Sequence, residues 1–182
     1  TFIPNIDKVE IIDNVENETL SFSNQESNID ESVFTIEKDC NGAISQIYIL
    51  NISNEKVTIA AEVEKKEDVF IIKSHKNVPK LFCDFPLIGT ESFHFPVIVN
   101  SFYFNPQIER DGIWLKGSED LEVMENQSLL EKALELYKTL MDKISSQSFN
   151  HLFNMVNSKM PETNEKYFDE YWYSENIQDP LR

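Results

Sequence analysis

Arginine is almost missing from this chain: Arg110 and Arg182 stand against fourteen lysines. The net charge is −16 and the pI near 4.5. No basic stripe is available to meet phosphates, which argues against nucleic-acid partners and against docking on an anionic membrane. Glycine is equally scarce. Gly42, Gly89, Gly112 and Gly117 are all there are. They form neither G-x-x-x-x-G-K-[ST] nor G-x-G-x-x-G, which excludes a self-contained phosphate loop of either kind. The two cysteines, Cys40 and Cys83, lie far apart and belong to no C-x-x-C pair. Free thiols in a reducing compartment, the cytoplasm, are the expectation. His75, His94 and His151 each stand alone, so no metal site is expected. There is no G-x-S-x-G elbow, no signal peptide, and no apolar run near the ~20 residues that span a bilayer.

What is present suits one domain, or one domain with a helical extension. Of 182 residues, 41% are apolar and 13 are Phe, enough for a sizeable core. Acid is spread evenly: residues 1–91 carry 17 acids and 8 bases, residues 92–182 carry 15 and 8. That pattern reads as a self-repelling, soluble surface. The chain opens on Thr1 and ends on Pro180-Leu181-Arg182, and reads as a piece of a longer protein.

Patterning divides the chain into a strand-rich part, residues 1–120, and a helical part, residues 121–182. Residues 9–13 and 19–23 alternate and are expected to pair as a hairpin. The polar run 24–31 reads as a loop. Strands are expected at 33–37, 44–50, 56–63, 69–73, 81–85 and 95–100, with a further short one at 102–104. Asp39-Cys40-Asn41-Gly42 is a turn signal between two of them. Short polar links favour antiparallel neighbours. Residues 126–145 carry the three-four spacing of an amphipathic helix, with Asn126 or Ser128 placed to cap it. Phe149, Leu152, Phe153 and Val156 suggest a second helix. Tyr167, Phe168, Tyr171 and Trp172 form an aromatic stripe at helical spacing, read first as packing. The fold class is therefore α+β: a mostly antiparallel sheet in the first two-thirds, followed by two or three packed helices.

Residues 81–115 concentrate aromatics and prolines around Arg110. Cys83 reads as a small buried thiol, and a Cys83–His94 pair is the hydrolase alternative. Arg110 has two readings. It forms a salt bridge to Asp84, Asp111 or a similar acid, holding the loop to the sheet, or it offers a planar fork to a carboxylate or phosphate.

This segment resembles one found in sacsin repeats and in large bacterial proteins with ATPase domains like those of the ninety-kilodalton heat-shock chaperones. The shared pattern is Pro86-Leu87, then Pro96-Val97-Ile98-Val99-Asn100, an aromatic residue (Phe102 or Phe104), Arg110 and Trp114. Ile59-Ala60-Ala61 ahead of it is also similar. The resemblance covers roughly residues 45–145. Sacsin-type sequences follow the Asn with Gly and carry adjacent arginines; Ser101 and Glu109-Arg110 make this chain closer to the bacterial relatives.

The resemblance implies a middle or transducer-like region of a GHKL-type, chaperone-like ATPase. ATP and Mg would be bound mainly by an N-terminal domain outside this chain, with no cofactor in the chain itself. That domain would be the principal partner, with a protein client or a second copy as others. Arg110 would be the catalytic residue, acting toward the γ-phosphate as arginine fingers do, with Asn100 and Asn105 as cofactor-binding supports. The rival reading is a non-catalytic interaction module that uses residues 92–104 and the stripe 167–172.

Overall fold

The computed structural model describes residues 6–30, 32–74, 76–117, 120–156 and 159–182. His75, named among the histidines, lies outside them. The described residues form a mixed, mostly antiparallel sheet and a long helix, an α+β arrangement.

Five strands form a meander: β1 (Lys8–Asp13), β2 (Glu18–Asp30), β3 (Val33–Cys40), β4 (Ala43–Ser53) and β5 (Thr58–Lys66). The turn between β3 and β4 is the expected one. Asn41 and Gly42 take φ of 51° and 87°, the left-handed pair that a two-residue hairpin needs. The polar run 24–31 is not a loop. It continues β2, which pairs with β3 across an irregularity between Gln25 and Asp30.

At β5 the sheet forks. Its first residues pair antiparallel with β9 (Ile98–Asn100), and its last with β6 (Val69–Ile72). Beyond β9 come β7 (Leu81–Cys83), in parallel, and then β8 (Phe85–Pro86). Asp84 breaks the expected strand 81–85 by turning at φ 59°. Residues 102–104 form no strand. Phe104 N–H donates to Ser101 O and Tyr103 N–H to Ser101 Oγ, and the chain turns.

Helix α1 (Leu121–Ser145) starts five residues before the expected 126. Asp120 occupies its N-cap position, without a side-chain capping bond. The predicted helix around Phe149 is instead β10 (Phe149–Asn150), parallel to β6, and a 3-10 turn at Leu152–Met155. The stripe 167–172 is only partly helical: α2 (Glu170–Tyr173) begins after Phe168 and runs on into a π turn at Ser174–Gln178.

Strand alternation sends Val33, Leu50, Ile59, Ala61, Val63 and Val99 to one face of the sheet. There they join Leu130, Ala133, Leu134, Tyr137, Leu140 and Ile144 of α1 in one buried cluster. Met155, Phe168, Tyr173 and Ile177 belong to the same cluster. The core thus spans residue 120, the expected boundary. No helix among the described residues is long and apolar enough to cross a membrane.

Candidate functional site

Arg110 sits at the tip of a small hairpin. Pro106 and Ile113 form an isolated antiparallel bridge, and Gln107 N–H donates to Gly112 O at 2.9 Å. Arg110 N–H donates to Gln107 O at 2.9 Å, closing the tip. Arg110 takes φ 57°, a left-handed conformation that costs a branched or long side chain roughly 1 kcal/mol. Buried Gln107 braces the hairpin from within, its Nε2 donating to Ile113 O at 3.3 Å.

The predicted salt bridge to Asp84 or Asp111 does not form. Arg110 is exposed and makes no ion pair among the described residues. Its guanidinium faces solvent.

The hairpin is anchored on two sides. Gly89 (φ 116°) lies against Asp111, so close that an added Cβ would sit 2.9 Å from Asp111 Cβ. On the other side Trp114 meets Tyr167 edge-on, with ring centroids 4.9 Å apart. Leu115 N–H donates to Tyr167 O at 2.8 Å. Phe93 packs edge-on against Phe168 and Tyr173. Of the stripe, Phe168 lies in the core, Trp172 packs against it half-buried, and Tyr171 is exposed.

Asn100 and Asn105, the expected cofactor supports, are committed to the chain itself. Buried Asn100 accepts from Asp84 N–H at 2.9 Å, holding the turn between β7 and β8. Asn105 Nδ2 donates to Glu125 at 2.9 Å. Its backbone is bracketed by Asn126, which does not cap the helix. Asn126 is fully buried; its Oδ1 accepts from Asn105 N–H at 2.8 Å, and its Nδ2 donates to the carbonyls of Asn105 and Trp114, each at 2.9 Å. Asn is favoured near helix starts for its capping, so sequence reasoning placed this residue in the wrong role.

The Cys83 thiol donates to the carbonyls of Phe102 and Phe104, both at 3.7 Å. His94 instead lies 3.9 Å from Glu162. The pair required for a hydrolase is not assembled. No group of three or more His, Cys, Asp or Glu suited to a metal ion occurs among the described residues.

Sequence reasoning missed Lys80. It is 6% exposed, and burial pushes its ammonium down to about 8. Its backbone is held by Thr90, whose Oγ1 accepts from Lys80 and Leu81 N–H and donates to Leu87 O.

Comparison with protein-family models, with curated proteins and with solved structures gave no match.

Proposed function

We propose that this chain is a transducer-like region of a cytoplasmic, GHKL-type, chaperone-like ATPase, and that it presents Arg110 to a nucleotide held by a preceding domain. The observation that carries this reading is the exposed, unpaired guanidinium on a braced hairpin. A chain that meets its ordinary surface needs with lysine places one arginine in a costly backbone conformation and leaves it without a partner among the described residues. A planar fork of that kind suits developing phosphoryl charge. The resemblance of residues 81–115 supplies the direction.

In this reading Asn100 and Asn105 are positioning residues. Asn100 fixes the turn at Asp84, and Asn105 ties the hairpin's base to α1. ATP and Mg would belong to the neighbouring domain, and this chain contributes the guanidinium alone.

The test is kinetic. In the protein that contains the nucleotide domain, Arg110→Ala is expected to lower ATP hydrolysis by about 10³-fold while ATP binding stays nearly constant. Unchanged turnover would end the proposal.

A second reading, a non-catalytic interaction module, draws on Phe102 and Tyr103. Both are exposed, stacked edge-on with centroids 5.8 Å apart, and Lys56 lies over the Tyr103 ring. Unchanged turnover in Arg110→Ala, with a partner lost in Phe102→Ser, would favour it.

A further inference from the structure

We propose that the hollow between the turn at 101–105 and helix α1 binds a nucleoside monophosphate, its base against Phe102 and Tyr103 and its phosphate between Lys56 and Lys132. The site does not include Arg110 and does not depend on it. It takes up the two aromatics of the second reading and gives them a small ligand in place of a partner protein.

The turn is built to hold its aromatics outward. Ser101 and Phe104 are buried at its ends, while Phe102 and Tyr103 between them are 69% and 52% exposed. The backbone is fixed from within. The Cys83 thiol donates to the carbonyls of Phe102 and Phe104, and Ser101 accepts from the N–H groups of Tyr103 and Phe104. Asn126 brackets Asn105 just beyond. Rings displayed on so constrained a turn lose little freedom on binding, and an aromatic face stacks with any base.

Two ammonium groups line the same hollow, which measures about 320 Å³. Lys56 Nζ lies 5.3 Å from the centre of the Tyr103 ring. Lys132 is half-buried on the wall formed by α1. Neither makes an ion pair among the described residues, although acids outnumber bases 32 to 16 in the chain. Two point charges left unneutralised in one hollow suit a dianion better than a carboxylate. A phosphate monoester carries about −1.5 to −2 at pH 7. None of the glycines lines the hollow, so side chains alone meet the phosphate.

The remaining lining selects a sugar between ring and phosphate. Asn105 Nδ2 donates to Glu125 Oε2 at 2.9 Å, and Glu125 Oε1 has no hydrogen bond among the described residues. The exposed Ser128 hydroxyl stands three residues further along α1. A free carboxylate oxygen accepts from ribose hydroxyls, as acids in dinucleotide sites do. The volume is at the lower end of the ~300–1,000 Å³ of small-molecule sites. It has room for one nucleotide and not for a strand, which the net charge of −16 would in any case repel.

The test follows amide NMR shifts of the whole chain during titration with adenosine monophosphate, adenosine, ribose phosphate and phenyl phosphate. Adenosine monophosphate is expected to shift the amides of residues 102, 103, 128 and 132 with a Kd below ~1 mM. Each of the other three should bind at least about tenfold more weakly. Phe102→Ser and Lys132→Met should each weaken adenosine monophosphate by about tenfold, with folding checked by circular dichroism. If Phe102→Ser does not fold, Lys132→Met decides alone. Absence of shifts at ~1 mM adenosine monophosphate, or unchanged affinity in the folded variants, would overturn the proposal. Equal binding of ribose phosphate would reduce the site to charge alone, and equal binding of adenosine would leave the lysines without a role; either result refutes it. Phenyl phosphate binding as tightly as the nucleotide would refute the sugar contact and with it the nucleotide.

Discussion

Asn126 holds Asn105 by both of its peptide polar groups, accepting from the N–H at 2.8 Å and donating to the C=O at 2.9 Å. One buried amide therefore joins the middle of the first helical turns of α1 to the base of the Arg110 hairpin. Its remaining donor capacity reaches Trp114 O.

Asn126→Leu removes all three bonds and leaves the part-buried Asn105 N–H and Trp114 O without this partner, while Asn105 O keeps Trp114 N–H at 3.4 Å. Each such loss costs about 1–3 kcal/mol. The expected result is a destabilisation of about 3 kcal/mol in urea unfolding, with accelerated amide exchange at residues 105 and 114. A change below about 1 kcal/mol would show that solvent replaces the bracket.

Gly89→Ala tests the other anchor. The residue sits at φ 116°, and a Cβ there meets Asp111 Cβ at 2.9 Å and Asp111 O at 3.1 Å. Neither is the far end of a flexible chain. A loss of about 2 kcal/mol is expected, together with a shifted hairpin tip. In the protein with its nucleotide domain, hydrolysis should fall with it. Normal stability and turnover together would mean that the tip needs no support from Gly89.

Arg110→Gly should have the opposite effects on stability and activity. Relief of the left-handed backbone offsets the greater freedom of glycine in the unfolded chain. Stability is expected to rise by about 0.5 kcal/mol in thermal unfolding while hydrolysis falls. A clear loss of stability would show that the side chain itself holds the hairpin.

Lys80 predicts a pH dependence. Burial lowers its folded-state value from 10.5 to about 8, while the unfolded chain keeps the ordinary one. Between these limits the unfolded state binds more protons, so stability rises with pH. Below pH 8 both states are charged and a constant penalty remains. Urea unfolding at pH 7 and pH 9.5 should show greater stability at the higher value. Lys80→Met should be more stable than the parent at pH 7 and should flatten the slope. An identical slope in both proteins would assign the effect elsewhere.

The central meander was legible because β5 alternates Ile59, Ala61 and Val63 against Thr58, Ala60 and Glu62, and because Asn41-Gly42 stands between β3 and β4, although apolar residues of β3 fall on both faces. The second half of β2 was not. Hydrogen-bond ladders need only backbone, and residues 24–30 carry no apolar period to reveal one. The first five residues of α1 were missed for a related reason: Leu121, Glu122 and Met124 are exposed and add no stripe. Two-residue β10 is too short for any period, and its existence depends on β6, which lies far away in the sequence. Aromatic composition favoured a strand at 102–104, but Ser101 turns the backbone there.

At the candidate site, the outlying character of Arg110 was visible from composition alone. Its left-handed backbone was not, since that conformation is ordinarily signalled by Gly or Asn. Nor could the sequence show that the amides of Asn100 and Asn105 are committed to Asp84 N–H and Glu125, because both depend on residues brought close only by folding.

The short parallel ladder between Phe149–Asn150 and β6 has a practical outcome for dissection. Phe70 N–H also donates to Ser148 O at 2.9 Å, so the sheet is finished by residues that follow its covering helix. Expressing residues 1–120 alone would strip one border of β6 and turn Val33, Leu50 and Ile59 toward water, an arrangement that invites edge-to-edge association. Preparations intended to isolate the Arg110 hairpin should therefore keep the chain through its last aromatic turn.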